Sequence, residues 1–291
     1  MEFKCVSDEF EKIPYEVVES TGLKFPEAHT KTQYITTLSR ALKEYKKDAI
    51  CRVPFCNTVE AEAFGGNIKL GDYKVGPRVS QYLIKSIDDF KNIKEIDFTK
   101  GRIGEVLKSI EKLRQAGEIV CLNVEGSFTI VSSLMEPRVF YKALRKNKDE
   151  AEKLLKVVED SIVKYILEGI KRGANIISYG DPVGTIDIVG PKVYKEVSGK
   201  ITYNILKRIE DKLECSIVHL CGKISTSLEN IDLLQVEPIK YDDSLTYGEA
   251  LVTLINKNNN NVKFIGHWCI KRSPVKKKEN VIWNVKLKKE H

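Results

Sequence analysis

The sequence predicts a closed (β/α)8 barrel with a short helical N-terminal extension. Short β-rich runs alternate with helical segments along the chain, and most of these runs end in a turn or a polar residue. This alternation is typical of parallel strands joined by right-handed crossovers. The chain has 291 residues, 42% of them hydrophobic, which is enough to bury the core of an α/β barrel built as one domain.

Seven segments of the chain are predicted to be strands. They are "AICRVPF" (49–55), "EIVCLNVEG" (118–126), "GANIISYGDP" (173–182), "CSIVHLCG" (215–222), "LLQVEPIKYDD" (233–243), "NVKFIGHWC" (261–269) and "NVIWNVKL" (280–287). One further strand would complete eight, so the pattern favours a closed barrel over an open doubly wound sheet.

The segments between these runs carry helical patterns. The clearest are "GEVLKSIEKLRQAG", "NKDEAEKLLKVVEDSIVKYILEGIKRG" and "GPKVYKEVSGKITYNILKRIEDKLE". Residues 1–48 are rich in charge and predict a helical extension, which leaves residues 49–291 as the barrel and catalytic domain. The stretch "NKNNNN" (256–261) predicts a polar turn. The helix expected before the final strand is shortened to "IKRSPVKKKE".

Charge and cysteine usage limit the partners and the compartment. The 48 Lys and Arg against 41 Asp and Glu give a formal charge of +7, but the basic residues are spread along most of the chain. No basic motif interleaved with aromatic residues is present, so nucleic acid is not an expected partner. Seven cysteines without a secretory signal indicate a reducing compartment, and no apolar run approaches the roughly 18 residues of a membrane span. We expect a cytoplasmic protein with no membrane partner.

Polar residues follow most of the predicted strands, where a barrel carries its chemistry. They are Asn123, Glu125, Asp181, His219, Cys221, Asp242, Asp243, His267 and Cys269. His219 and Cys221 stand two residues apart on one strand, so their side chains lie on the same face. Imidazole nitrogen and thiolate sulfur are the ligands that zinc prefers. Candidates for the remaining ligands are Cys269, His267, Asp242 and Asp243. A packed cysteine beside a hydrogen-bonded histidine is the alternative interpretation of this pair.

Several longer motifs resemble a known superfamily. They are "CRVPFCNTVEAEAFGGNI" (51–68), "GSFTIVSSLMEPRVFYKAL" (126–144), "ISYGDPVGTIDIVGPKVYKE" (177–196) and "VHLCGKIS" (218–225). They resemble the uroporphyrinogen decarboxylase superfamily. Within it they are most similar to the zinc-dependent methyltransferases that move a methyl group from a methylated corrinoid protein to coenzyme M.

The resemblance implies a (β/α)8 barrel and a zinc site. The metal signature of these methyltransferases is His-x-Cys followed much later by a second cysteine, and its first two ligands match His219 and Cys221. An acidic residue some two dozen positions after the histidine can join the metal, which points to Asp243 or its neighbour Asp242. The final strand has no cysteine, so we expect Cys269 of the preceding strand to replace the missing ligand.

The resemblance also implies the reaction and its partners. A substrate thiol would bind zinc as thiolate and attack the methyl group on cobalt, with His219, Cys221 and Cys269 as the catalytic metal ligands. The methylcobamide would arrive on a separate corrinoid-binding protein, and the acceptor would be coenzyme M or a related small molecule. From their positions near strand ends, Asn123, Glu125, Tyr179 and Asp181 are expected to contact substrate or the edge of the corrinoid. The alternatives are a structural role for Glu125 as an acceptor of backbone N–H groups and a turn role for Asp181 before Pro182.

Two alternative functions stay open at the level of sequence. A decarboxylase would need a cationic cleft for a porphyrin's carboxylates, but Arg52 is followed by Glu60 and Glu62. For these two glutamates a solvated or helix-starting role is as compatible with the sequence as a catalytic one. A non-catalytic barrel that binds a corrinoid protein fits the shortened C-terminus. The basic stretch 271–278 is either a solvated loop or a surface that attracts an acidic partner or acceptor.

Overall fold

A computed structural model describes residues 12–257 and 261–289. Its strands are β1 (Cys51–Val53), β2 (Asn67–Lys69), β3 (Arg78–Gln81), β4 (Val120–Glu125), β5 (Ile176–Gly180), β6 (Ile217–Cys221), β7 (Leu234–Lys240), β8 (Phe264–Trp268) and β9 (Val281–Leu287). Seven of them form one sheet in the order β1-β4-β5-β6-β8-β9-β7, and β2 and β3 form a separate hairpin. All seven predicted strand segments are confirmed, whereas the hairpin was not predicted.

The helices lie between and before these strands. They are α1 (Tyr15–Thr21), α2 (Thr32–Lys46), α3 (Val59–Ala63), α4 (Gly101–Gln115), α5 (Ser127–Leu134), α6 (Pro137–Lys146), α7 (Lys148–Lys171), α8 (Ile186–Val193), α9 (Gly199–Ile209), α10 (Gly222–Asn230) and α11 (Tyr247–Lys257). None of these described helices is long and apolar enough to cross a membrane.

The first five strands of the sheet order, from β1 to β8, are parallel. Helical crossovers connect them, as the alternation in the sequence predicts, so their carboxyl ends meet at one edge. The register aligns Asn123 with Ser178, Ser178 with His219 and His219 with Ile265. One row of side chains therefore crosses four strands.

The last strands depart from the predicted barrel. β9 pairs antiparallel with both β8 and β7, so β7 is separated from β6 and β8. Residues 269–280 contain only the 3₁₀ turn Ile270–Arg272, and the chain has no helix there with which to return to the amino edge of the sheet. Within the described residues, strand pairing runs from β1 at one edge to β7 at the other, so the closed barrel is not confirmed.

The two faces of the sheet have separate cores. Helices α4, α5, α7, α9 and α10 contribute to the main core on one face. On the other face α11 packs through Tyr247, Ala250 and Leu251 against the strands. The strand residues in this second core include Ile50, Cys121, Ile176, Ile217 and Ile265. Because strand side chains alternate, this is the face that also carries His219, whereas Cys221 at the end of β6 packs against the main core.

The N-terminal helices form a small core of their own with Ile13, Val17, Ala28 and Leu38. The described part of the predicted extension contains α1 and α2. The first eleven residues, the middle of the predicted polar turn and the last two residues lie outside the described part of the chain. The division into an extension and a catalytic domain at residue 48 stays a prediction.

The position of β9 predicts the cost of one substitution. Val285 is 2% exposed and lies opposite Phe264 of β8 and Val236 of β7. We expect Val285→Thr to lower the free energy of unfolding by about 1–3 kcal/mol. The two side chains have nearly the same volume, but threonine places a hydroxyl among apolar groups where valine has a methyl group. The measurement is urea denaturation.

The matched control is Val275→Thr at a position 41% exposed, where we expect a change within about 0.5 kcal/mol. Equal effects of the two substitutions would contradict the placement of β9 between β8 and β7.

Candidate functional site

The carboxyl edge of the parallel strands brings His219 and Cys221 together on β6. Cys221 pairs with Trp268 of β8 after a register shift, and the Trp268 side chain packs against the second core. Cys221 and Trp268 are half-buried, whereas His219 is 1% exposed. Both residues lie on β6, but Cys221 packs against the main core, so a shared face for the imidazole and the thiol stays a prediction.

His219 is bound by a residue that the sequence did not indicate. Its Nε2 lies 3.1 Å from the hydroxyl of Tyr247, and the two rings meet edge to face with centroids 5.9 Å apart. Burial lowers the pKa of His219 to about 4, and the charge of Lys277 acts in the same direction. The imidazole is therefore neutral at physiological pH, which is the form that can bind a metal.

Cys269 lies one residue beyond Trp268 and is buried. It is close enough to Tyr247 to contribute to the raised pKa of that phenol, which burial raises most. Tyr247 is thus a neighbour of both His219 and Cys269.

The other predicted metal ligands point elsewhere. His267 has a positive φ of 55°, and its Nε2 lies 2.8 Å from the Glu229 carboxylate of α10. Its backbone N–H donates to Ser225 Oγ of the same helix. Asp242 accepts the backbone N–H of Ser244 in its own turn, and the neighbouring Asp243 is exposed.

The donor set for zinc is incomplete in this conformation. His219 and Cys221 are donors that zinc favours. Yet in the part of the chain that the structure describes, no group of three or more His, Cys, Asp and Glu side chains is arranged to hold a metal ion. Tyr247 occupies the hydrogen-bonding position at His219 Nε2. The residues as placed do not fit the expected ligand set of His219, Cys221, Cys269 and Asp243.

Asp181 organises the ends of β5 and α5. It is 2% exposed, and its carboxylate accepts the backbone N–H groups of Phe128 and Thr129 at 3.1 and 2.8 Å and the Thr129 hydroxyl at 2.7 Å. Burial raises the pKa of Asp181 and these hydrogen bonds oppose the rise. Both oxygens are used inside the protein, so the structure gives Asp181 a clear role in fixing the first turn of α5.

Glu60 and Glu125 form a second buried feature at this edge. Glu60 is 1% exposed, and its Oε1 accepts the backbone N–H of Glu125 at 2.9 Å. Among the described residues, the Oε2 atoms of both side chains are enclosed without a hydrogen-bond partner. Burial raises the pKa of Glu60 to about 7, and burial together with the charges of Glu60 and Asp181 raises that of Glu125 well above its ordinary value. The pair therefore retains a proton at neutral pH.

The burial of Glu60 overturns the solvated role that the sequence allowed. The spacing carried a signal that could have shown it, because Glu60 stands between Val59 and Ala61, which are also buried in the short helix α3. Glu62 is half-buried instead, and it pairs with Arg102.

The two remaining predicted substrate contacts differ in position. Asn123 is half-buried, and its Nδ2 donates to the Pro54 carbonyl at 2.8 Å, which ties β4 to the end of β1. Tyr179 is fully buried in the main core with the helices, and burial raises the pKa of its phenol. Strand alternation places it on the opposite face from His219.

Lys277 is a further residue that the sequence did not single out. It lies within the basic stretch 271–278 but is only 7% exposed. Its ammonium nitrogen lies 4.5 Å from the centre of the Trp268 ring and 5.9 Å from the centre of the Tyr247 ring. A buried cation thus stands beside Trp268 and beside Tyr247, the residue that contacts His219.

A mostly parallel α/β sheet with a His-x-Cys pair at its carboxyl edge places the chain among α/β proteins that carry their sites on strand ends. Residues 12–268 match the uroporphyrinogen decarboxylase (URO-D) family, and the chain belongs to that family.

Two relatives carry methyltransferase names. The chain is 27% identical over 230 residues to the methylcobamide:CoM methyltransferase MtbA of Methanosarcina mazei, covering 78% of this chain and 68% of that protein. It is 26% identical over 219 residues to the methylcobamide:CoM methyltransferase MtaA of Methanosarcina barkeri, covering 74% and 64%. The homology supports a methyltransferase of this superfamily.

A solved structure of a methyltransferase from Methanosarcina mazei superposes with a TM-score of 0.65 at 23% identity, covering 73% of this chain and 65% of that one. At this identity the match shows the fold. The chain spans about two thirds of the length of the relatives it matches.

The buried pair predicts a pH dependence of stability. The pKa of Glu60 is about 7 in the folded protein against an ordinary value of 4.5, so the folded state holds the proton more tightly. This stabilisation is complete below pH 4.5 and is lost as the pH rises through about 7. We expect the free energy of unfolding of the wild type to fall as the pH rises from 5 to 8. In Glu60→Gln this fall should be smaller by about 1–3 kcal/mol. Urea denaturation across this range measures it.

Glu62→Gln is the matched control, because Glu62 lies two residues away and is paired with Arg102. It should keep the wild-type slope. An unchanged slope in Glu60→Gln would show that Glu60 does not titrate in this range.

Proposed function

We propose that this protein moves a methyl group from a methylated corrinoid, carried by a separate corrinoid-binding protein, to a small thiol such as coenzyme M. The observation that carries the proposal is the His219 and Cys221 pair at the carboxyl edge of β6, in a chain whose relatives are named for methyl transfer between these two partners.

The transfer itself is a displacement at carbon. The sulfur lone pair of the thiolate forms the new C–S bond while the Co–C bond breaks, and that electron pair stays on the cobalt of the corrinoid. The thiol proton must leave before or during the attack, because the thiolate is the nucleophile. The protein's task is to orient the two partners and to favour loss of this proton.

The residues of the edge suit this task. His219 is neutral, and Cys221 follows it two residues later, so the end of β6 offers an imidazole nitrogen and an ionisable thiol. Glu60, with a pKa near 7, can exchange a proton close to neutral pH, as a general base requires. Asn123 and Glu125 extend the same edge along β4.

Zinc is the finer part of the proposal. His219 and Cys221 would be two of its ligands, and Cys269, or less directly Asp243, would have to approach after Tyr247 leaves His219. Cysteine and histidine donors suit zinc and would let it bind the acceptor as thiolate. The reaction outlined above does not depend on this metal.

One competing function has a specific observation in its favour. The ligand set is incomplete in the described residues, as expected for a barrel-like protein that binds a corrinoid partner without catalysis. A decarboxylase has less support, because the Arg52 guanidinium lies 4.0 Å from the Asp48 carboxylate and is half-buried. It is thus partly engaged within the protein.

The test combines activity with metal content. Purified protein is incubated with methylated corrinoid protein or methylcobalamin and a thiol, and the thioether is measured by mass spectrometry. We expect Cys221→Ala to lower the rate by about 100-fold or more if Cys221 is a ligand or contact of the thiol. Cys215→Ala is the matched control, since Cys215 is exposed.

Metal analysis of the same samples reports on zinc separately. We expect about one zinc per chain in the wild type and less than about half in Cys221→Ala. Thioether formation by protein that contains no zinc would support the proposed methyl transfer and contradict the proposed zinc site. Binding of the corrinoid protein without any thioether would favour the non-catalytic function.

A further inference from the structure

The first turn of α11 covers the histidine of the proposed site. Tyr247, its first residue, is fully buried and places its hydroxyl 3.1 Å from His219 Nε2. A zinc ion bound through Nε2 would lie about 2.0–2.1 Å from this nitrogen, in the space that the hydroxyl now occupies. The docked helix and a metal at Nε2 therefore exclude each other.

Hydrogen bonds within the helix keep this turn ordered. Thr246 and Glu249 form a capping box, in which the Thr246 hydroxyl accepts the backbone N–H of Glu249 at 3.2 Å. The Glu249 carboxylate accepts the backbone N–H of Thr246 at 2.7 Å in return. Such a pair satisfies N–H groups that the start of a helix otherwise leaves unpaired. The turn that carries Tyr247 is thus stable as a helix wherever it lies.

The link between β8 and β9 holds the same turn in place. The backbone N–H groups of Tyr247 and Gly248 donate to the Val275 and Ser273 carbonyls at 3.0 and 2.7 Å. The hydroxyl of Ser273 donates to the buried Asp48 carboxylate at 2.5 Å. Gly248 permits this close approach, because a Cβ there would stand 2.9 Å from Asp48 Oδ1 and 3.0 Å from the Ser273 carbonyl oxygen. These contacts anchor the start of α11 over His219.

Only the start of the helix has to move to uncover the imidazole. Ala250, Leu251 and Ile255 of the later turns belong to the second core. Release of the whole helix would expose these apolar side chains to water, which is costly. A movement of residues 246–249 leaves them packed, and helix ends open locally at lower cost than the elements behind them.

We propose that residues 246–249 form an autoinhibitory gate over His219, and that closure of this gate and binding of zinc at Nε2 exclude each other. The inference rests on the zinc part of the proposed function. It gives a physical reason why the expected ligands do not meet among the described residues. The protein has two states, in which either Tyr247 or the metal holds the imidazole. A change that weakens the closed state therefore strengthens zinc binding.

Zinc affinity measures this competition without any methyl transfer. Metal-free protein is titrated with zinc in the presence of a chromophoric chelator of known affinity. We expect Tyr247→Phe to bind zinc about 5-fold more tightly than the wild type, because the closed state loses its hydrogen bond to the imidazole. Tyr203→Phe is the matched control, since Tyr203 is also buried but its hydroxyl donates to the Lys288 carbonyl. It should keep the wild-type affinity.

Gly248→Ala tests the gate through a different contact. The added methyl group would press on Asp48 and on the Ser273 carbonyl, and it removes no contact of His219. It should also raise the zinc affinity, because it weakens the anchor of the closed state. Equal zinc affinities of the wild type, Tyr247→Phe and Gly248→Ala, or no zinc binding by any of them, would overturn the gate.

Hydrogen exchange follows the gate in the unmodified protein. Zinc should speed exchange at the backbone N–H groups of Tyr247 and Gly248, whose hydrogen bonds to the link must break, and should leave the rates in α7 unchanged. Slower or unchanged exchange at these two groups in zinc-loaded protein would overturn the inference. Opening by zinc without thioether formation would reject the proposed methyl transfer and keep the gate. Thioether formation by zinc-loaded protein whose gate stays closed would reject the gate alone.

Discussion

The short link between β8 and β9 decides the form of the whole C-terminal half. Residues 269–280 contain a single 3₁₀ turn and no helix, so the chain reverses beside β8 instead of crossing back over the sheet. β9 then takes the place next to β8 and β7 pairs on its outer side. The same link folds back with Lys277 against the aromatic residues of α11 and β8. The link between β8 and β9 therefore determines both which strand forms the edge of the sheet and which residues surround His219.

Local sequence patterns predicted the strands well because each is a short apolar run between turn residues. Closure of the sheet could not be read from those runs, because it depends on the direction of β9, which the length and content of the preceding link determine. The exposed hairpin of β2 and β3 was missed for a different reason. Its strands are three and four residues long and bury no continuous apolar face, so they carry no clear period.

The site shows the same division between local and distant information. That His219 and Cys221 lie at the carboxyl end of one strand could be predicted from the apolar run that contains them. That Tyr247 contacts His219 does not, because the contact joins the sheet to a helix 28 residues further along the chain. The burial of Lys277 was equally hidden, since its neighbours Lys276 and Lys278 are the same residue type in a different environment. The family resemblance supplied the chemistry, and the packing of α11 determines which of the expected ligands can meet.

An open sheet has two edges, and an unpaired edge strand can recruit a strand of another molecule. At one edge β1 has only three residues. At the other edge the exposed positions of β7 include Gln235, Glu237, Pro238 and Lys240. Charged side chains disfavour the approach of a second apolar strand, and proline offers no N–H for pairing. Both edges of the described sheet are thus poorly suited to edge-to-edge aggregation.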